Sequence, residues 1–257
     1  MSTLDAATPG VGDLLDDLAA EQRALQEVLA SIDADGWLCP TPARGWDVRD
    51  TIAHLADTDE MAIATATDRP GSINSRAAAA ASSEDVTYQG VLAGRRLAGR
   101  DVLTWWESTA AAEHEMFRTV DPNVRVPWGI GMRLASFVTA RLMECWAHGL
   151  DVRAALGREP HDTDRLAHIA WLATRALSYA YGVAGREPTT EPLRVELTLP
   201  SGAPWSFGPT SATSRITGPA GEYCRVFVHR MARADARAVR AEGPAAIDAL
   251  AVARAFL

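Results

Sequence analysis

The chain has 257 residues, of which 47% are hydrophobic and 23% are charged. This composition provides enough apolar surface for a folded core and excludes wholesale disorder. The formal net charge is -8 and no cluster of lysine and arginine occurs, which argues against a nucleic-acid partner and favours a small molecule.

Cysteine content and hydropathy indicate the compartment in which the protein works. The three cysteines are far apart and form no CxxC pair, so neither a disulfide framework nor a thiolate zinc site is indicated. Residues Met1 to Gly10 lack the basic and apolar segments of a secretory signal peptide, and no run of about 18 apolar residues occurs. We therefore expect a cytoplasmic protein without a membrane span. The oligomeric state stays open, with a homodimer as one option. The cysteines are Cys39, Cys145 and Cys224.

Long helices are predicted in the first 160 residues, because apolar residues recur there every three or four positions. Asp47 precedes the second helix and is suited to cap its free N–H groups. The following stretch, Gly71 to Ser83, is rich in Ala, Ser and Gly, and we expect a mobile or weakly helical connector of a length compatible with a lid. The fourth helix is apolar on nearly every side, as expected of a buried central helix. The predicted helices span Val11 to Ile32, Val48 to Thr67, Val86 to Thr119 and Met132 to Leu156.

The pattern changes after about residue 160. A fifth helix is followed by alternating apolar residues in Leu193 to Leu199 and in Trp205 to Phe207, with turn residues between them, which we interpret as a β-hairpin. Two shorter helices follow. The expected fold class is mainly α, with a four-helix bundle in residues 1–160 and a smaller α+β domain in residues 161–257. The helices predicted in this part span Asp164 to Val183, Pro219 to Met231 and Pro244 to Phe256.

Glu144 and His148 are candidates for a metal site. They stand four positions apart on the fourth helix, so both side chains lie on one face and can converge on one ion. A carboxylate on such an apolar face is costly unless a cation compensates its charge. Asp151, three positions beyond His148, is placed to accept a hydrogen bond from the imidazole nitrogen turned away from the metal. The apolar residues that share or flank the face are Phe137, Ala140, Ala147 and Ala155.

Spacing alone leaves a simpler interpretation open. Glu144 and His148 can be a helix-surface pair without a ligand, because such pairs are common. His54 lies opposite the apolar stripe of the second helix and can be a solvated histidine. Cys145 points about 100° away from Glu144 around the helix, which favours a buried filler over a nucleophile. The other histidines lack paired ligand spacing and are interpreted as ordinary; they are His114, His161, His168 and His229.

Two blocks of residues and a set in the C-terminal part carry a family resemblance. The first block comprises Trp37, Pro40-Thr41-Pro42, Gly45-Trp46, Val48, Asp50 and His54-Leu55. The second comprises Arg141, Glu144, Trp146, His148 and Asp151. The C-terminal set comprises Val195-Glu196-Leu197, Trp205, Thr217-Gly218-Pro219-Ala220 and Gly243-Pro244-Ala245. Together they resemble the DinB-like, mycothiol-dependent maleylpyruvate isomerase superfamily of actinobacteria, and the second block is similar to its Glu-x-Trp-x-His-x-x-Asp signature.

The resemblance implies a DinB-like bundle in which His54, Glu144 and His148 ligate one divalent cation, with zinc favoured. Two histidines and one carboxylate leave an open position on a tetrahedral zinc, which is typical of catalytic sites. The resemblance also implies mycothiol, a low-molecular-weight thiol, as cosubstrate, because metal coordination would lower the pKa of the thiol. The C-terminal domain would be of the sterol-carrier type.

Arg230 is the residue that the resemblance assigns to catalysis. It could clamp a carboxylate or an oxyanion in bidentate fashion. The residues around it differ from the Trp-Leu-x-Gly-Arg ending of the isomerases, and a surface salt bridge is the alternative. Pro127-Trp128-Gly129 and Tyr179-Ala180-Tyr181 are more similar to an actinobacterial metal-binding branch than to the isomerases themselves.

Three functions are compatible with these features. The first is a metal- and thiol-dependent transferase or isomerase that acts on a small electrophile. The second is a metalloenzyme that uses the open metal position as a Lewis acid without a thiol, as a lyase, hydrolase or cyclase. The third is a non-enzymatic small-molecule-binding protein, whose ligand affinity would not depend on His148.

Overall fold

The computed structural model describes residues 10–129 and 131–255, and for Ser83 and Glu84 it describes the backbone alone. Residues 1–9, on which the expectation about a signal peptide rests, lie outside the described residues, as does Phe256. The helix predicted from Pro244 to Phe256 is too long, because it ends at Ala251. The described residues divide into two compact units, residues 10–161 and residues 162–255.

The first unit is built mainly from helices. In chain order they are α1 (Val11–Ala30), α2 (Val48–Ala66), α3 (Ile73–Ala79), α4 (Ser83–Gly94), α5 (Gly99–Thr119) and α6 (Leu134–Ala155). Helices α1 and α2 each pack against both α5 and α6, so these four form a bundle. Each contributes large side chains to a common core, and burying such a side chain stabilises the fold by about 1.5–3 kcal/mol. Examples from the four helices are Leu18, Ile52, Trp106 and Phe137.

The start of α2 is held by its own residues and by α4. The backbone N–H of Asp50 donates to Asp47 Oδ1 at 2.7 Å, so the predicted cap is confirmed. Asp50 is buried and forms an ion pair with Arg95 at 2.7 Å. The same guanidinium donates to the carbonyl oxygen of Gly45 at 3.0 Å. These bonds fix the loop that carries Trp46.

The single helix predicted from Val86 to Thr119 is wrong, because the chain turns between α4 and α5. A Cβ atom at Gly94 would lie 2.3 Å from Ala53 Cβ, and one at Gly99 would lie 2.1 Å from the indole ring of Trp37. No side chain fits at either position, and glycine lowers helix propensity by about 1 kcal/mol. The turn therefore forms where close packing requires glycine.

The predicted start of the fourth long helix is two residues early. Met132–Arg133 forms β2, which pairs antiparallel with β1 (Arg125–Val126), and α6 begins only at Leu134. Within the connector predicted from Gly71 to Ser83, α3 forms a short helix.

The second unit combines helices with a sheet. Its elements are α7 (Leu166–Arg175), α8 (Leu177–Val183), β3 (Leu193–Thr198), β4 (Pro204–Phe207), β5 (Ser214–Pro219), α9 (Ala220–Phe227), β6 (Arg240–Glu242) and α10 (Pro244–Ala251). Within residues 162–255 the sheet has the strand order β4-β3-β5-β6. Strand β3 pairs antiparallel with β4 and parallel with β5, while β5 pairs antiparallel with β6.

The predicted fold class is confirmed, since a mainly α chain ends in an α+β part with the predicted hairpin. Three further details differ. The predicted helix Asp164 to Val183 is divided at Ala176, the helix expected from Pro219 to Met231 is shorter, and strands β5 and β6 were not predicted. Strand β5 contains Gly218 and Pro219, which weaken a strand pattern in the sequence. The likeness to sterol-carrier domains stays a prediction.

In the described parts of the chain, no helix has both the length and the apolar character that crossing a bilayer requires.

Candidate metal centre

The three residues predicted as metal ligands lie next to one another in the first unit. His54 is in the second turn of α2, whereas Glu144 and His148 are one turn apart on α6, which packs against α2. Their potential ligand atoms all lie within 4.8 Å of one another. Glu144 Oε2 is 3.9 Å from His54 Nε2 and 3.5 Å from His148 Nε2. We refer to His54, Glu144 and His148 as the ligand cluster.

The geometry of the ligand cluster fits a divalent cation. With bonds of about 2.0–2.2 Å, neighbouring ligands of a tetrahedral zinc are roughly 3.4 Å apart, close to the separations between the carboxylate and the two imidazoles. Two nitrogen donors and one oxygen donor also match the ligand types that zinc uses in catalytic sites. The separations exceed those of good hydrogen bonds, so the three side chains surround a common point without saturating one another.

Burial and the mutual interactions of the three side chains together set the protonation of His54 and Glu144. His54 is 6% exposed, so it is not the solvated histidine that its position on α2 allowed, and His148 is 8% exposed. Burial lowers the pKa of His54, and the nearby charge of Arg141 lowers it further. Burial acts to raise the pKa of Glu144, but its interactions with His148 and His54 outweigh this and hold the pKa well below its usual range. A neutral imidazole and a carboxylate are the forms that bind a metal.

The two imidazoles differ in how their second nitrogen is held. His148 Nδ1 lies 3.1 Å from Asp151 Oδ2, the contact predicted from the sequence, and Asp151 is 1% exposed. If Nδ1 donates in this contact, Nε2 is left to face the cluster. His54 Nδ1 is buried and has no hydrogen-bond partner among the described residues. The orientation of His54 therefore depends on packing and on its backbone.

Trp46 covers both imidazoles, a role that the sequence analysis did not assign to it. Its ring lies 5.0 Å from that of His54 and is stacked at 6.2 Å on that of His148, measured between ring centroids. Gly45 has a φ of 81°, a conformation that favours glycine, and it places Trp46 immediately before the cap of α2. The first block of the family resemblance contained this pair without indicating its contacts.

A second polar cluster lies in the bundle core and was also missed. Arg141 Nε donates to Glu113 Oε1 at 3.1 Å, and Arg141 Nη2 donates to Asp59 Oδ1 at 2.5 Å and to Thr58 Oγ1 at 3.0 Å. Burial, together with the charge of Asp59, raises the pKa of Glu113 well above its usual range. Burial also raises the pKa of Asp59. We refer to Thr58, Asp59, Glu113 and Arg141 as the core network.

Three other residues considered in the sequence contribute no ligand atom to the ligand cluster. Arg230 belongs to the second unit, where its Nη1 donates to the carbonyl oxygen of Val228 at 2.9 Å. Cys145 is 3% exposed and burial raises its pKa well above the usual value, which fits a filler rather than a nucleophile. Trp128 packs on Phe137, with ring centroids 5.3 Å apart.

An open groove of about 520 Å³ lies along α2 and α5 but contains none of the three ligand residues. It is lined by apolar residues and by charged residues of both signs. Its lining comprises Glu60, Ile63, Ala64, Arg69, Pro70, Ala112, Glu115, Met116 and Thr119.

Comparison with known protein families identifies similarity over the first unit. Residues 18–153 match the family model described as the mycothiol maleylpyruvate isomerase N-terminal domain. The matched range contains the ligand cluster and the core network. In two strains of Mycobacterium tuberculosis, a protein named as uncharacterized is 39% identical to this chain over 246 residues, which is 95% of this chain and 95% of the relative.

Solved structures extend the similarity to the fold of nearly the whole chain. The crystal structure of the mycothiol-dependent maleylpyruvate isomerase matches with a TM-score of 0.60 and 16% sequence identity. A histidine-to-alanine mutant of it matches with a TM-score of 0.60 and 15% identity. Each match covers 93% of this chain and 96% of the other. At these identities the likeness is one of fold.

Proposed function

The chain belongs to the family defined by the mycothiol maleylpyruvate isomerase N-terminal domain, and from this premise we propose a metal-dependent enzyme that uses mycothiol to transfer or isomerise a small electrophile. The observation that carries the proposal is the ligand cluster, in which His54, Glu144 and His148 place their ligand atoms within 4.8 Å of one another. We propose that these three residues hold one divalent cation, with zinc favoured.

The chemistry of the site follows from the groups that the chain supplies. A bound divalent cation would act as a Lewis acid and lower the pKa of a thiol or water beside it. The carboxylate of Glu144 balances part of the cation's charge, and Asp151 holds the proton on His148 Nδ1 so that Nε2 stays available. Trp46 keeps water away from one side of both imidazoles.

The second unit is proposed to complete the enzyme. We propose that residues 1–160 form the metal-binding domain and residues 161–257 a second domain, in which Arg230 binds a carboxylate or an oxyanion of the substrate. The family resemblance and the fork of donors that a guanidinium presents support this role. The variant Arg230→Lys keeps the charge but loses the fork, so weaker binding of maleylpyruvate than in the wild type is the expected result.

Calorimetric titration with mycothiol tests the proposed function. Protein loaded with Zn²⁺ should bind mycothiol, and the same protein treated with a chelator should not. Zn²⁺-loaded protein that fails to bind mycothiol would contradict the use of a thiol and would favour the Lewis-acid alternative. Mycothiol affinity that stays the same in His148→Ala would contradict the role of the metal and would favour a binding protein without catalysis.

A further inference from the structure

We propose that Thr58 and Arg141 are positioning residues that set the distance between His54 on α2 and the ligand pair on α6. This inference rests on the proposed metal site. It assigns a task to the core network, which takes no part in the ligand cluster itself. The residues concerned would position the metal ligands through the backbone of α2 and the register of α6.

The link runs from one helix to the other through a single hydroxyl group. Arg141 Nη2 on α6 donates to Thr58 Oγ1 at 3.0 Å. The Thr58 hydroxyl in turn donates to the carbonyl oxygen of His54, one turn earlier on α2, at 2.8 Å, and shares this proton with the carbonyl oxygen of Leu55 at 3.0 Å. Arg141 lies three positions before Glu144, so both stand on neighbouring parts of the same helix face. The chain of hydrogen bonds therefore connects the backbone of one ligand to the helix that carries the other two.

The remaining partners of Arg141 hold this link in place. Arg141 is 4% exposed, Asp59 is 1% exposed and Glu113 is 0% exposed, so the network is closed to solvent. Asp59 and Glu113 accept from one edge of the guanidinium, from Nη2 and Nε respectively. A planar guanidinium bonded on that edge to α2 and α5 has little freedom to rotate. Its position fixes α6 against α2.

The ligand cluster needs such an outside constraint at His54 in particular. Glu144 and His148 are spaced by their own helix, and Asp151 holds the second nitrogen of His148. The second nitrogen of His54 has no hydrogen-bond partner among the described residues. Metal sites require their ligands to be held within about 0.5 Å of the productive geometry. Control of the His54 backbone by Thr58 supplies this constraint.

The proposal is tested by removing the hydroxyl group while keeping the side-chain volume. Thr58→Val breaks the link, and Thr58→Ser keeps it. Thr139→Val is the matched control, because Thr139 is also buried and makes the same kind of bond, donating to Ala135 O at 2.9 Å, in α6. Each full-length variant is titrated with Zn²⁺ in competition with a chelator. The Co²⁺-loaded proteins give absorption spectra that report ligand geometry, and chemical unfolding of the metal-free proteins reports stability.

We expect Thr58→Val to bind Zn²⁺ about tenfold more weakly than the wild type, which is the smaller end of the range for residues that support a metal ligand. Its Co²⁺ absorption spectrum should also differ from that of the wild type. Thr58→Ser should restore both properties, and Thr139→Val should change neither. Should Thr58→Val not fold, Thr58→Ala removes the same hydroxyl and carries the same expectation.

The inference is overturned if Thr58→Val keeps wild-type Zn²⁺ affinity and the wild-type Co²⁺ spectrum, or if Thr139→Val weakens Zn²⁺ binding as much. These results would leave the proposed function intact. A wild-type protein that binds no Zn²⁺ would instead defeat the proposed function first and this inference with it, so the two failures are distinguishable.

Discussion

The ligand cluster and the core network contain similar groups in the same bundle, yet their polar atoms are arranged differently. In the core network, a guanidinium meets two carboxylates and a hydroxyl at 2.5–3.1 Å. In the ligand cluster, a carboxylate faces two imidazoles at 3.5 and 3.9 Å. The core network carries its own counter-ion, whereas the ligand cluster presents three donors to a common point. The core network is thus satisfied by its own groups, whereas the ligand cluster has the arrangement that we propose for a metal site.

The largest effect is expected where the core network loses its cation. The variant Arg141→Met leaves the carboxylate of Asp59 buried without its counter-charge and removes the donor to Glu113, which costs about 3–5 kcal/mol of unfolding free energy. Urea unfolding of the metal-free protein measures this. The control is Arg118→Met, whose exposed ion pair with Asp16 should contribute less than about 1 kcal/mol. Equal losses in both variants would show that the core network does not organise the bundle as described.

The next effect is expected in the ligand cluster and should appear in metal affinity instead of stability. Glu144→Gln removes the carboxylate charge and should weaken Zn²⁺ binding by roughly 100-fold or more. Changes to residues that support a metal ligand reach about 100-fold, and Glu144 would itself be a ligand. Competition with a chelator measures the affinity. Glu107→Gln, an exposed position on α5, is the control and should leave it unchanged. Unaltered affinity in Glu144→Gln would remove Glu144 from the site.

A smaller loss of Zn²⁺ affinity is expected at Asp151, which contacts the proposed ligand His148. Asp151→Asn keeps an acceptor for His148 Nδ1 but removes the negative charge behind the imidazole, and Zn²⁺ binding should weaken about tenfold. The exposed Asp101→Asn serves as the control in the same titration. A loss of Zn²⁺ affinity as great as that of Glu144→Gln would contradict the assignment of Asp151 to a supporting role.

The smallest effect concerns the proton in the core network. Because burial raises the pKa of Glu113 well above its ordinary value of 4.5, the folded chain keeps a proton that the unfolded chain releases above that pH. This contribution to stability is complete below pH 4.5 and is lost as the pH rises toward the folded-state pKa. Glu113→Gln is neutral at every pH, so it should unfold within about 1 kcal/mol of the wild type at low pH.

The sign of the pH dependence gives the decisive comparison for Glu113. Relative to the wild type, Glu113→Gln should gain stability as the pH is raised from about 5 to about 9, because the wild type alone loses the stabilising proton. Unfolding curves of the metal-free proteins at both pH values measure the difference. If the unfolding free energy of Glu113→Gln instead falls relative to that of the wild type as the pH rises, Glu113 is ionised in the folded chain.

Local patterns in the sequence predicted local structure well. The cap at Asp47 was predictable because it involves residues three positions apart, and the β-hairpin because alternation and turn residues occur together. The break between α4 and α5 was not, because it depends on contacts of Gly94 with Ala53 and of Gly99 with Trp37, far away in the chain. Strand β5 was hidden for a similar reason, since it pairs with β3 across intervening elements.

The candidate site was also predictable only where its residues are neighbours along one helix. The spacing of Glu144 and His148 placed them on one helix face, but the family resemblance alone joined His54 to them. Spacing within α2 could not reveal that Trp46 and α6 cover His54. The core network joins α2, α5 and α6, so no pattern along a single helix could indicate it. The sequence and the family resemblance therefore indicated which side chains lie together in the ligand cluster, but not the contacts that position them.

The central claim is that the ligand cluster holds one metal ion, and elemental analysis tests it most directly. Protein purified without added metal should contain about one divalent ion per chain in the wild type, and His54→Ala and His148→Ala should each contain far less. Near-equal metal content in all three proteins would contradict the claim, because the ion would then be held elsewhere.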